Sequence, residues 1–237
     1  MRILLTFALL ASVLRVATAQ EYPVTGHIVL VRAEKGDKRD LLSQFVVWLI
    51  PRAGTPRRAP ASDTTPRLIQ KDKAFHPHVL VVPVGAAVEF PNRDPWFHNV
   101  FSLFEGKRFD LGLYEAGTSR VVHFDRPGIS YIFCNIHPQM SAVVVTLNTP
   151  YWAVSDRKGN LTIPNVPVGR YALHLWGELA APEFLGSSPR EITVSAESHT
   201  IGDLPVPAGP NQLANHKNKY GQDYEEASPN SPVYPQP

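Results

Sequence analysis

Short runs of alternating or continuous apolar residues, closed off by Gly, Pro, Asn and Asp, constrain this chain more than any other feature. They fall at 24–31, 45–50, 78–82, 87–90, 120–124, 129–133, 142–147, 171–175 and 191–194, and Val, Ile, Phe and Tyr dominate them. Runs this short, rich in β-branched and aromatic side chains with turn residues between them, fit the strands of a sandwich or barrel. No stretch sustains a 3.6-residue period. Residues 39–49 come nearest, and Val46-Val47-Trp48 within them favours strand. The 23 prolines among 237 residues, nearly twice the usual ~5%, tell against a helical bundle, because proline breaks helix interiors. The chain reads as all-β.

Three regions depart from this pattern. Residues 1–19 open with Arg2, run through an apolar stretch at 3–14 and close on Ala17-Thr18-Ala19, as an export signal does. Arg2 and Arg15 are its only charges, so without it 21 basic residues face 21 acidic ones. That balance removes the electrostatic case for nucleic acid or an anionic membrane as partner. No later segment has the ~18 consecutive apolar residues of a membrane span. An exported, periplasmic chain is expected. Residues 51–67 (PRAGTPRRAPASDTTPR) are proline-rich and polar, with 57–67 read as a linker. Residues 204–237 hold too few apolar side chains to fold alone and are read as a disordered tail.

Cys134 is the only cysteine, so an exported chain has no internal disulfide and this thiol is either buried and inert or chemically employed. It opens Cys134-Asn-Ile-His-Pro-Gln-Met140, between a strand ending at Phe133 and another starting near Ser141. Met140 is the only methionine besides the initiator, and His137 stands midway. Thiolate, imidazole and thioether are the donors of a copper electron-transfer site; a second imidazole completes a His₂Cys set with a weak axial Met. Pro138 and Asn135 help the loop turn back on itself. The fourth donor belongs upstream, and His98, after the Asn/Asp/Pro turn of 92–95, is the best candidate. Zinc is the chemical rival, but thioether is a poor zinc donor and copper binds such sites more tightly.

These residues resemble the cupredoxins, the small blue-copper proteins, over roughly 68–148. The Cys-x-x-His-Pro-x-Met spacing is most similar to that of amicyanin. The upstream run agrees, with Phe75-His-Pro-His-Val, then Val88-Glu-Phe-Pro-Asn92 and His98-Asn99. The resemblance implies a Greek-key β-sandwich holding one type 1 copper ion on His98, Cys134, His137 and Met140. It further implies an electron carrier rather than an enzyme, with His137 nearest the surface as electron port and a redox protein as donor or acceptor. Phe133, Pro138, Trp96 and Phe97 are candidates for the apolar shell, and an inner partner should fix the second nitrogen of His98. About eighty residues is short for the family, which leaves room for a strand supplied from elsewhere.

A second resemblance covers the flanks. Asp156-Arg-Lys-Gly159 reads as a hairpin turn, Pro164-Asn-Val-Pro-Val-Gly169 as another, and 170–176 as a strand. This is similar to the later half of a carboxypeptidase regulatory-like (transthyretin-like) β-sandwich, whose opening half fits Val24-Thr-Gly-His-Ile28 and 45–50. The implied organisation is a second small sandwich made of 22–56 and 150–203, with the cupredoxin unit 68–148 inserted; a single continuous extended sandwich is the alternative. Asp94 and Asp110 read as turn formers. His76 and His78 read first as a solvated strand edge and only second as another metal site, and His123 as pointing outward or meeting a core acceptor. Copper trafficking without redox cycling, or a partner-binding β-sandwich, are the alternative functions.

Overall fold

The computed structural model of the chain describes residues 20–31, 44–54, 64–103, 105–211, 213–214 and 216–224. The expected export signal at 1–19, linker residues 57–63 and tail residues 225–237 lie outside the described residues.

The protein is all-β. In chain order its strands are β1 (Glu21–Val31), β2 (Phe45–Pro51), β3 (Ile69–Lys71), β4 (Ala74–His76), β5 (Val79–Pro83), β6 (Ala86–Pro91), β7 (His98–Ser102) and β8 (Phe109–Tyr114). They continue with β9 (Ser119–Phe124), β10 (Gly128–Cys134), β11 (Ser141–Leu147), β12 (Trp152–Val154), β13 (Asn160–Pro167), β14 (Gly169–Gly177), β15 (Arg190–Val194) and β16 (Thr200–Pro207). A single helical turn, α1 (Pro182–Leu185), follows β14.

Two families of sheets result. Strands of the central stretch form a five-stranded sheet, β5-β11-β10-β7-β8, and two ribbons, β6-β9 and β3-β4. All of their strands lie within 69–147, so among the described residues none is borrowed from elsewhere. Strands from both ends of the chain form the order β13-β1-β16 and the order β12-β2-β14-β15. Most pairings are antiparallel; β1 with β16 and β5 with β11 run parallel.

Alternation along β11 explains why its sequence is apolar throughout. Ala142 and Val144 enter a core shared with Phe90, Val100, Phe124, Ile132, Cys134 and Met140. Val143, Val145 and Leu147, on the other face, enter a seam with Val46, Phe101, Phe133 and Trp176. A strand covered on both faces reads as a continuous apolar run, not an alternating one. The same holds for β2, whose Phe45, Val47 and Leu49 enter a third core with Ile28, Ile163 and Val206 while Val46 enters the seam.

Two expectations for the flanks change. The turn at 156–160 forms, with Asp156 Oδ1 accepting the N–H groups of Lys158 and Asn160 at 2.8 Å each. Gly159 there has φ +88°, and a Cβ would sit 2.4 Å from the Ile28 carbonyl oxygen, so the position requires glycine. Yet its flanking strands β12 and β13 pair in different sheets, so it is a sheet-crossing turn and not a hairpin. The expected disorder from 204 onward is also corrected for its described residues, 204–211, 213–214 and 216–224. Positions 204–207 complete β16, with Leu204 and Val206 buried in the third core. That run found a partner strand, β1, which its own composition does not reveal.

Candidate metal centre

The upstream part of the site is built from a turn and a hairpin. Asn92 Oδ1 accepts the Asp94 N–H at 3.0 Å and Asn92 Nδ2 donates to the Trp96 carbonyl at 2.8 Å, which folds the chain back into β7. His98 is the first residue of β7 and is fully buried. Across from it, the β3–β4 hairpin turns through Asp72 and Lys73, both left-handed with φ of 56° and 53°. Their backbone N–H groups donate to the two Asp94 carboxylate oxygens at 2.6 and 2.9 Å. Asp94 Oδ2 lies 2.8 Å from His98 Nε2.

Asp94, expected to be only a turn former, is therefore the partner that fixes the outer nitrogen of His98. Burial pushes its carboxyl up, but the Lys73 N–H, the His98 ring and the Asp72 N–H outweigh that and hold it below the ordinary carboxylate range. An ionised Asp94 takes the Nε2 proton of His98 as a hydrogen bond and leaves Nδ1 as the ring's bare nitrogen.

The downstream part is the loop after β10. Register pairs Phe133 with Phe101 and Cys134 with Val100, so β10 brings Cys134 onto the same face as the core below β7. Beyond it the loop closes on itself: the Met140 N–H donates to the His137 carbonyl at 3.0 Å and the Cys134 N–H to the Met140 carbonyl at 3.2 Å. The Asn135 N–H reaches the Asn99 carbonyl at 3.0 Å and ties the loop to β7.

These two parts bring three donors together. His98 Nδ1 and His137 Nδ1 are 3.1 Å apart, and Cys134 Sγ lies 3.7 Å from the first and 3.5 Å from the second. Donors sharing one ion at about 2.0–2.3 Å in a trigonal plane stand roughly 3.5–4 Å apart, and closer in a pyramid. The separations fit. Among the described residues this is the one convergent group of three or more His, Cys, Asp or Glu side chains. Met140 is fully buried in the same core, its backbone bonded to both Cys134 and His137.

The electrostatics suit metal binding. Burial pushes His98 below its ordinary value against the pull of Asp94. Burial, with His98 and Lys73 nearby, takes His137 down to about 4. Both rings are neutral donors at pH 7. Burial raises the Cys134 thiol, offset in part by the nearby backbone N–H groups of Ile136, Asn99 and His137. A metal ion would displace that proton, since thiolate is the ligating form.

Exposure follows a gradient. His98, Cys134 and Met140 are sealed, and His137 is 7% exposed, the most accessible of the four. The expected apolar shell is corrected in three places, one of them Pro138, which is exposed. Phe133 faces the seam, because it neighbours Cys134 on a strand and so points to the opposite side of the sheet. Phe97 is 48% exposed. His76 and His78 do not pair as a metal site: His78 Nε2 meets Glu178 at 2.7 Å, and His76 Nε2 lies 3.3 Å from the Lys71 carbonyl. His123 lies on the exposed side of β9.

Sequence reasoning missed Asp94, Lys219 and Tyr224. Lys219 donates its N–H to Asn135 Oδ1 at 2.9 Å, and the Tyr224 hydroxyl donates to the Cys134 carbonyl at 2.9 Å. Asp94 stands four residues before His98 outside any helix, so no periodicity signals the pair.

Residues 130–201 match the family described as polysaccharide lyase family 4, domain II. No curated protein matches the chain. Solved structures similar to it include a Cu-containing nitrite reductase from Thermus scotoductus SA-01, 23% identical over 39% of this chain with a TM-score of 0.34. This chain spans only 25% of that protein's length. A purple cupredoxin from Nitrosopumilus maritimus is 23% identical over 35% of this chain and 99% of its own, with a TM-score of 0.32. A Cu(I) form of a methionine-to-alanine mutant of amicyanin is 19% identical over 42% of this chain and 98% of its own, with a TM-score of 0.34. What this chain itself shows is two imidazoles and a thiol, buried, with His98 Nδ1, His137 Nδ1 and Cys134 Sγ within 3.1–3.7 Å of one another.

Proposed function

We propose that this chain is an exported copper protein that carries single electrons, with His98, Cys134, His137 and Met140 holding one type 1 copper ion. The observation that carries the reading is the meeting of His98 Nδ1, His137 Nδ1 and Cys134 Sγ within 3.1–3.7 Å in a buried setting. Bound there, copper would supply a Cu(I)/Cu(II) couple, which soft sulfur and borderline imidazole donors support together.

The rest is the work of the chain. Asp94 holds the His98 ring in one tautomer and one orientation, and its own two oxygens are held by the β3–β4 hairpin. The loop bonds of Cys134, His137 and Met140 fix the other donors, so the set has little freedom to rearrange between oxidation states. Burial excludes water from three of the four residues, and the slight exposure of His137 makes it the port through which a redox protein donates or accepts the electron.

Export to the periplasm is part of the proposal and rests on the signal read at 1–19. So is the division of the chain into a metal unit at 68–148 inserted in a sandwich of 22–56 and 150–203, which is supported by the pairing of β1 with β13 and β16 and of β2 with β12 and β14.

The test is copper addition to the purified protein, followed by its visible spectrum and by voltammetry. One equivalent bound, an intense thiolate charge-transfer band and a reversible couple are expected. Release of copper on oxidation would favour trafficking instead, and no binding would leave a β-sandwich of another role.

A further inference from the structure

The described C-terminal residues form a strap across the metal loop, and no part of the electron-carrier reading uses them. Leu213 is buried in the seam beside Phe133 and Trp176. His216 stacks on the outer face of Phe133, with centroids 4.0 Å apart and an interplanar angle of 15°, and Tyr224 packs edge-on against His216 at 5.3 Å. Between them Asn218 nucleates a tight turn: its Oδ1 accepts the N–H groups of Tyr220 and Gln222 at 2.9 and 3.1 Å, with Gly221 at φ +77°.

This turn presents Lys219 to both parts of the site. Its backbone N–H donates to Asn135 Oδ1 at 2.9 Å, on the residue after Cys134. Its ammonium meets Asp110 Oδ2 at 2.8 Å, and Asp110 Oδ1 accepts Asn99 Nδ2 at 2.8 Å, on the residue after His98. The Tyr224 hydroxyl adds a bond to the Cys134 carbonyl.

We infer that Lys219 and Tyr224 are positioning residues that lock the Cys134 loop against β7, so that the C-terminal strap governs how readily the donor set opens. The inference deepens the copper reading and rests on it for its consequence, but the lock itself is a property of the polypeptide. Without the strap, the ties of the loop among the described residues include its own backbone bonds and that from Asn135 to Asn99. Each lost bond, worth about 0.5–1.5 kcal/mol net, corresponds to a roughly two- to thirteenfold change in an opening equilibrium.

The test has two arms on the full-length chain. In the metal-free protein, the rate at which a small disulfide reagent modifies Cys134 reports loop opening; Cys134 is fully buried at rest. Tyr224→Phe and Lys219→Ala should each accelerate it about two- to thirteenfold, with the double variant faster still. Lys219→Arg, which keeps the cation, should restore the slow rate more fully than Lys219→Ala. In the copper-loaded protein the same variants should release copper faster to a chelator and shift the midpoint potential, while the melting temperature of Tyr224→Phe stays close to that of the parent.

Unchanged thiol reactivity in the double variant would overturn the inference. Accelerated thiol reactivity in a protein that binds no copper would leave the strap standing and remove the metal reading, so the two failures are distinct.

Discussion

The two arms of the donor cluster are held in place by different means. His98 starts a strand buried along its whole length, and its outer nitrogen is fixed by Asp94, itself pinned by two backbone N–H groups. Cys134, His137 and Met140 sit where a strand gives way to a loop, closed by its own backbone and tied from outside by Asn99, Lys219 and Tyr224. One arm is built into the core; the other is a loop fastened at several points. On the proposed electron-carrier reading, a site that keeps one geometry yet passes an electron to a partner gains from this division, because the arm near the surface is the one that needs access.

The largest effect is expected at the residue where the loop joins the strand. Cys134→Ser removes the only thiolate, so the charge-transfer band should vanish and copper affinity should fall well beyond the about 10–100-fold typical of losing an outer partner. A blue Cys134→Ser protein would break the assignment of both arms.

Asp94→Asn comes next and sharpens the contrast. If the amide nitrogen faces Nε2 it leaves the ring N–H without an acceptor or, donating, drives the His98 proton to Nδ1 and blocks the donor nitrogen; if the amide oxygen faces it, the NH₂ is set against the Asp72 N–H and the carboxylate's charge is lost either way. Copper affinity should drop about 10–100-fold in a chelator competition. Asn135→Ala, which removes the acceptor for Lys219, should cost less. If it costs as much, the built-in arm is no firmer than the fastened one.

Met140→Leu nearly conserves volume and should cost under about 1.5 kcal/mol of stability. Copper is retained and the midpoint potential moves. An unchanged potential and spectrum would take methionine out of the loop arm's ligands.

Protonation separates two histidines by sign. His137 is held down to about 4 in the folded chain, against an unfolded value of 6.5, so between those values the unfolded state binds the extra proton. The metal-free protein should lose stability as pH falls from 6.5 toward 4, less steeply in His137→Gln. His78 is raised by its hydrogen bond to Glu178, burial opposing and the Glu178 charge assisting. Its stabilisation is complete below 6.5 and is lost as pH rises through the folded value. This should be the smallest effect, since the His78 side chain is 43% exposed. Urea melts of the His78→Gln and His137→Gln proteins across pH 4–9 test both signs.

The same contrast governs how much the sequence could reveal. The loop arm was legible because three soft or borderline donors crowd seven residues, and Cys134 and Met140 have no duplicates to confuse them. His98 was reachable only through its place after a turn. From the chain alone Asp94 reads as a turn former, since nothing along it shows the burial against a hairpin from residues 72–73. The all-β class was plain in the apolar runs, but the strand at 200–207 was not, because its partner β1 lies at the far end of the chain. The strap was unreadable for a related reason: Lys219 and Tyr224 act on Asn135 and Cys134 more than eighty residues away.

X-ray absorption at the copper edge of the loaded protein reaches the central claim most directly. Two nitrogen neighbours and one short thiolate sulfur are expected, with the sulfur contribution lost in Cys134→Ser. A first shell of nitrogen and oxygen alone, or one indifferent to that substitution, would contradict the convergence of His98, His137 and Cys134 on a common ion.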